Sequence, residues 1–254
     1  MTKPILELTD IHTNVTTADG QSIEILKGLN LKINSGDFIT VIGTNGAGKS
    51  TLFNTIAGTL KPNSGSISHL GNDITKLSEE KRSKFIARVF QDPKLGTAPR
   101  MTVVENMLLA TKRGEHRFLI PRKLKQNLPY FEELAKSMNN GLENRLTTFV
   151  GNLSGGQRQA LSFLMATLKR PDILLLDEHT AALDPHTSQS LLAATDERIQ
   201  KDNLTALMIT HHMEDALKYG NRLLVLKSGQ VVADYKEEDK KKLHLEDLYN
   251  FFED

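Results

Sequence analysis

The chain has no cysteine among its 254 residues. That excludes a disulfide framework, a thiolate nucleophile and any zinc site built on cysteine. Tryptophan is absent too, and aromatic residues make up only 6%. None of them precedes Phe38. Neither sign of charge dominates: 32 Lys and Arg stand against 31 Asp and Glu, a net of +1. No global field therefore draws the chain to nucleic acid or to acidic lipid. Long apolar runs are also missing. Stretches such as Ile173 to Leu176 and Leu223 to Leu226 fall well short of the roughly 20 residues that span a bilayer. Met1 to Leu8 lacks the apolar segment of a signal peptide. The expectation is a cytoplasmic protein that reaches a membrane only through a partner.

What is present fits a globular α/β chain. Apolar residues at 39% and charged residues at 25% allow one large domain or two small ones. A chain this long buries enough apolar surface to need no covalent staples. Ile5 to Ile11, Ile23 to Ile33 and Phe38 to Ile42 read as strands, separated by turns such as Asp19-Gly20 and Ser35-Gly36. Their closeness predicts an antiparallel piece. Asp92 to Asn152 has no strong β run and carries helical patterns at Val103 to Lys112 and Tyr130 to Met138. Ile173 to Asp177, Thr205 to Thr210 and Arg222 to Leu226 read as strands spaced by helix-length segments, the pattern of a parallel sheet.

Gly43-Thr44-Asn45-Gly46-Ala47-Gly48-Lys49-Ser50 fits the phosphate-binding loop G-x-x-x-x-G-K-[ST], after a strand and before a helix. Glycines let the backbone fold around phosphate oxygens, and a helix N-terminus adds positive potential. Lys49 is placed to meet the β and γ phosphates, the Ser50 hydroxyl to ligate Mg²⁺ and Thr51 to reach the α phosphate. The strand Ile173 to Leu176 ends in Asp177-Glu178. At the carboxyl end of a parallel strand, where ligands bind, Asp177 suits Mg²⁺. Glu178 suits a general base for an attacking water. These motifs alone leave kinases, GTPases and many ATPases open.

Leu153-Ser154-Gly155-Gly156-Gln157, opening a helix to Leu168, is a second anion cradle by the same argument. The pentapeptide resembles the signature motif of ATP-binding-cassette (ABC) ATPases, and other pieces of that family follow in order from about residue 5 to 234. The resemblance implies that Gln91 is the Q-loop glutamine touching Mg²⁺ and water, that Ala181-Ala182-Leu183-Asp184 is the D-loop, and that His211 is the switch histidine at the γ phosphate. It implies an α/β fold: a P-loop NTPase of ABC type with a RecA-like parallel-sheet core, an N-terminal antiparallel β subdomain and an inserted α-helical subdomain. The boundaries expected are about 1–91 and 153–235 for core and β subdomain, 92–152 for the helical subdomain and 236–254 for a C-terminal cap. It also implies a head-to-tail homodimer in which Ser154 to Gln157, with Asp184, serve the nucleotide of the other copy.

The chain departs from the family in three places. The aromatic residue on which relatives stack adenine is missing; by spacing Val15 stands there, with His12 nearby. Base stacking is worth about 1–3 kcal/mol in nucleic-acid sites, so base selectivity is expected to be weak. His179 stands where proline is usual and His212 where an acid is common; both read as variable surface residues. Three weaker features remain. The basic stretch Lys112 to Lys125 reads as an exposed loop, Glu237 to Lys242 as a solvated helix start, and the apolar segment from Leu243 to Phe252 as a docked cap.

The function implied is a Mg²⁺-dependent ATPase subunit with ATP as nucleotide, powering a bacterial importer. Asn45 to Gly48 resemble the branched-chain amino-acid branch, and Asp177 to Asp184 resemble ATPases of aromatic amino-acid importers. Its partners would be transmembrane permease subunits, a second copy and a solute-binding protein, with no nucleic acid. The alternatives are an exporter ATPase subunit and a soluble ABC ATPase of iron–sulfur assembly.

Overall fold

The structure is a computed structural model, and it describes residues 3–17, 19–115 and 124–252. In chain order the elements begin with strands β1 (Leu6–Thr16), β2 (Ser22–Ile33) and β3 (Phe38–Gly43). Helix α1 (Lys49–Ala57), strands β4 (Ser64–His69) and β5 (Asn72–Asp73), helix α2 (Glu79–Arg82) and strand β6 (Ile86–Val89) follow. The middle holds α3 (Val103–Ala110), α4 (Leu124–Lys136), α5 (Gly155–Leu168), β7 (Ile173–Asp177) and α6 (Pro185–Lys201). The chain closes with β8 (Ala206–Ile209), α7 (Met213–Lys218), β9 (Arg222–Lys227), β10 (Gln230–Lys236), α8 (Glu237–Lys240) and α9 (Leu245–Tyr249). The chain forms two compact units, one running to Arg82 and resuming at Leu204, the other spanning Ser83–Asn203.

In the first unit β1 pairs antiparallel with both β2 and β4. Buried and exposed positions alternate along the second half of β2, so one face of this sheet meets the core and the other meets water. Every residue of β3 is buried, the continuous apolar signature of a strand inside a parallel sheet. It pairs in parallel with β8 on one side and β9 on the other. Ile42, Leu223 and Val225 form a core with Ala216 of α7 and Leu248 of α9, and Tyr235 and Phe251 pack against it. The apolar C-terminal segment is thus docked on the strands that carry the phosphate loop.

Arg82 and Lys240 are two of the buried cations that tie this unit together. Arg82, fully buried, donates to the carbonyls of Thr55 and Ile56 at the end of α1 (both 2.8 Å) and of Ile74 and Thr75. It thereby satisfies carbonyls that a helix C-terminus leaves open. Lys240 Nζ donates to the carbonyls of Tyr219 and Gly220. The solvated-helix expectation for Glu237 to Lys242 holds for Lys241 and Lys242, which pair with Glu237 and Asp239. It fails for Lys240, only 5% exposed, because that side chain turns inward to cap the chain after α7.

In the second unit β6 and β7 run parallel, with Arg88 opposite Leu175 and Val89 opposite Leu176. Helix α5 is held by buried Ala160, Leu161, Phe163 and Leu164. The basic stretch from Lys112 is described only in part, since residues 116–123 lie outside the described residues. Its first arginine is not a loop residue in solvent. Arg113 donates to the carbonyls of Ala166 and Lys169 at the C-terminus of α5.

Candidate nucleotide-binding site

The phosphate loop leaves the carboxyl end of β3. Thr44, Asn45 and Gly46 are exposed, whereas Gly43, Ala47 and Gly48 are buried. Gly48 sits at φ 100, a conformation open to glycine and strained for other residues. It is the N-cap of α1, and no side chain caps that helix. The first N–H groups of α1 are therefore left for a ligand. Lys49 is buried and folded back, its Nζ donating to Gly43 O (2.7 Å) and Thr44 O (3.1 Å). Ser50 is exposed and Thr51 half-buried in the first turn. The turn between β9 and β10 braces the loop: Gly229 N donates to Ala47 O, and Lys27 N donates to Gly229 O. Nothing in the local sequence around Gly229 signals that contact.

His211 belongs to the same unit. Ile209 of β8 lies opposite Val41 of β3, and Thr210 N donates to Val41 O (3.3 Å). The exposed His211 and the phosphate loop therefore leave the same end of neighbouring parallel strands. Val15 lies directly across from Ile23 on the β1–β2 pair. A β-bulge separates this pair from Thr13, whose cross-strand partner is Leu26. Leu26 Cδ2 comes to 3.0 Å of where a Cβ on Gly48 would stand. Val15 (36% exposed) and Ile23 (46%) form an exposed aliphatic cross-strand pair on this hairpin. His12 does not offer a free ring, because its two nitrogens contact Glu24 (2.6 Å) and Asp10 (3.2 Å). The Glu24 hydrogen bond is the main reason its pKa is raised.

In the second unit Gln91 and Asp177-Glu178 follow the adjacent ends of β6 and β7. Gln91 is exposed, and Gln159 of α5 holds the preceding turn by donating to Phe90 O (2.9 Å). Glu178 has φ 46, a left-handed conformation that a non-glycine residue adopts at a cost of about 1–3 kcal/mol. Asp177 Oδ2 accepts from Arg88 at 2.5 Å. The oxygens of Ser50, Gln91 and Asp177 are the ligand chemistry a hard divalent cation takes. One oxygen of Asp177, Oδ2, is engaged by Arg88. The residue types fit Mg²⁺.

The signature turn is built differently. Ser154 caps α5, its Oγ accepting from Gln157 N (3.2 Å) while Ser154 N donates to Gln157 Oε1 (3.3 Å). Gln157 also donates to Asn140 O (3.3 Å), and Asn140 donates to Gly156 O (3.4 Å). A Cβ on Gly156 would collide with Thr187 Cγ2. Gly155 stands near Leu183 of the following turn. Asp184 caps α6 by accepting from Thr187 N (3.0 Å), and the bonds from Thr187 hold its carboxyl below the usual range. Asp184 and Ser154 thus share a border at Gly156–Thr187.

The surface reading of His179 is overturned. The residue is 2% exposed, and its Nε2 lies 3.4 Å from Thr195 Oγ1 of α6. Burial pushes its pKa down to about 4, so the ring is a neutral packing group. His212 is exposed, as expected.

The chain matches the family model described as ABC transporter over residues 26–181. It is 42% identical over 249 residues to a tyrosine transport ATP-binding protein of Clostridioides difficile (strain R20291), covering 98% of this chain and 99% of that one. It is 32% identical over 231 residues to the bacitracin export ATP-binding protein BceA of Halalkalibacterium halodurans, covering 89% and 87%. Among solved structures it is similar to MJ1267, an ATP-binding cassette of an ABC transporter, with TM-score 0.80, 26% identity and full coverage of both chains. It is also similar to the dimeric post-hydrolysis state of the cassette MJ0796 bound to ADP and Pi, with TM-score 0.77, 26% identity and coverage of 91% and 98%. By the matched family model and by these full-length likenesses, the chain belongs to the ABC transporter family, as one of its ATPase subunits.

Proposed function

We propose that this ATPase powers import of an amino acid, aromatic rather than branched-chain, from the cytoplasmic face of the cell membrane. One observation carries the substrate reading. The likeness to a tyrosine transport ATP-binding protein spans 98% of this chain and 99% of the other. The likeness to an exporter subunit is weaker, at 32% identity. The partners proposed are permease subunits, a solute-binding protein and a second copy of this chain. Among the described residues no helix is long and apolar enough to cross a membrane, which leaves the membrane path to such partners. The domain division proposed is the one expected from the sequence, with residues 92–152 as the helical insertion and 236–254 as the cap.

At the site, Lys49 leaves the carbonyls of Gly43 and Thr44 and meets the β and γ phosphates of ATP. The backbone N–H groups of Gly46 to Ser50 and the Thr51 hydroxyl complete the cradle. Ser50, Gln91 and Asp177 would hold Mg²⁺, which when bound would supply positive charge to offset the charge developing on the γ phosphate. Glu178 accepts a proton from the attacking water, and His211 donates to the γ phosphate. Val15 and Ile23 take the base by apolar contact. Ser154 and Gly156 meet the γ phosphate of the other copy, so that ATP closes a dimer and hydrolysis opens it.

The experiment is purification from membranes, followed by reconstitution with the retained permease in proteoliposomes. Uptake of tyrosine, tryptophan and phenylalanine should require internal ATP, and Glu178→Gln should abolish it while an ATP-bound dimer accumulates. Recovery with soluble partners only, or ATP-driven efflux, would sink the import reading.

A further inference from the structure

The partner of Asp177 is a side chain that the motifs do not name. Arg88 lies on β6, one step from the residue opposite Leu176. Its Nη2 donates to Asp177 Oδ2 at 2.5 Å, and the two side chains are only 12% and 14% exposed. The same guanidinium lies 4.8 Å from the centroid of the Phe90 ring. Phe90 O is itself fixed by Gln159, and Gln91 follows it. One cation thus touches the carboxylate at the end of β7 and the aromatic ring that leads into the Gln91 turn.

A carboxylate buried to this degree costs free energy unless a counter-charge stands beside it. Two cations can serve Asp177, the guanidinium and a divalent metal, and they compete for the same oxygens while repelling each other. We propose that Arg88 is the built-in counter-ion of Asp177. It holds the carboxylate when no metal is bound and must give up Oδ2, at least in part, when the metal arrives. The Phe90 ring gives the displaced guanidinium a place to stay, by cation–π attraction. Arg88 is accordingly a positioning residue. It keeps Asp177 aligned between turnovers and lowers the affinity of the site for the free ion, so that metal enters with nucleotide. The proposal rests on the reading of Asp177 as a Mg²⁺ ligand.

The test uses Mn²⁺ as the probe, with affinity measured by electron paramagnetic resonance in the presence of ADP, on the full chain. Arg88→Gln should bind Mn²⁺ about tenfold more tightly than the parent. In thermal melts its metal-free form should be less stable, and saturating Mn²⁺ should raise its Tm by more than it raises the parent's. Arg88→Lys, which keeps the charge without the guanidinium fork, should fall between the two. It carries the test if Arg88→Gln does not fold. Asp177→Asn separates the two layers. If it leaves Mn²⁺ affinity unchanged, the ligand reading fails. If it weakens Mn²⁺ binding while neither Arg88 variant tightens it, the counter-ion proposal alone is overturned.

Discussion

Two glycine-rich turns each open a helix in this chain, and they are finished in opposite ways. At Gly48 the helix start has no side-chain cap. Its neighbouring lysine is spent on loop carbonyls, Gly43 O and Thr44 O. At Ser154 the helix start is closed by its own capping box with Gln157. The first turn is left without a cap, and in the proposed function an anion would complete it. The second is complete without a ligand, and any anion it meets must work through the outer side of Ser154 and the N–H groups the box leaves over. A turn of the first kind binds strongly and contributes little to its own helix. A turn of the second kind stabilises its helix and can bind only weakly alone, which suits a surface that engages nucleotide held by another copy.

The largest effect that tests this contrast is at Lys49. Lys49→Ala should lower ATP turnover about 10²–10³-fold, the scale for losing one donor to a developing charge. Melting of the nucleotide-free chain should lose less than turnover does, about 1–3 kcal/mol, the scale for leaving the buried Gly43 carbonyl without its donor. A large loss of stability with binding intact would reverse the assignment of the two turns.

The next effect is acid sensitivity of the unit that carries the signature turn. Burial holds His179 neutral, with a pKa of about 4 against an ordinary 6.5. The unfolded chain takes up that proton below pH about 6.5, the folded chain only below about 4. Stability from this group is therefore complete above pH about 6.5 and is lost as pH falls toward 4, by about 3 kcal/mol. Urea midpoints measured across that window should fall less steeply for His179→Gln than for the parent. Equal slopes would place the acid sensitivity elsewhere.

These residues also mark what could be read from the sequence. The phosphate loop, Asp177-Glu178 and the Ser154 turn are legible as motifs because each is a few consecutive residues, and the structure puts them where the motifs predict, at a strand end or a helix start. The antiparallel start and the parallel strands are legible because buried strands such as β3 leave continuous apolar runs. Arg88, Arg82, Lys240 and His179 are not legible. Their meaning depends on partners 89, 27, 20 and 16 residues away, and a charged or polar side chain with no visible partner reads as solvated. His179 follows two acids in a turn, where exposure is the default, and only Thr195 on α6 shows that the turn is covered. The same limit applies to Val15. Spacing gives only a window from Asn14 to Thr16, and the aliphatic pairing with Ile23 is fixed by register across a bulged hairpin.

Gly156 gives a smaller effect. A methyl group there meets Thr187 Cγ2, and overpacking of this kind costs about 1–3 kcal/mol, partly offset by the better helix propensity of alanine. Gly156→Ala should therefore lower the chemical-denaturation free energy by about 1–2 kcal/mol, and Thr187→Ser should restore it in the double variant. Failure of the rescue would mean that the glycine is needed for a ligand's approach and not for the contact between α5 and α6.

The smallest effect separates the two uses of Ser154. As an N-cap it is worth about 1 kcal/mol, so Ser154→Ala should lose that stability in the nucleotide-free chain. Asparagine caps a helix as well as serine does, so Ser154→Asn should regain the stability. The ATP-dependent dimer, measured by sedimentation in a Glu178→Gln background, reports the other use. If the serine hydroxyl also serves the second copy's γ phosphate, both variants weaken the dimer although only one weakens the fold. If Ser154→Asn restores fold and dimer together, the serine acts only by holding its own helix, and the N–H groups beside it make the anion contact.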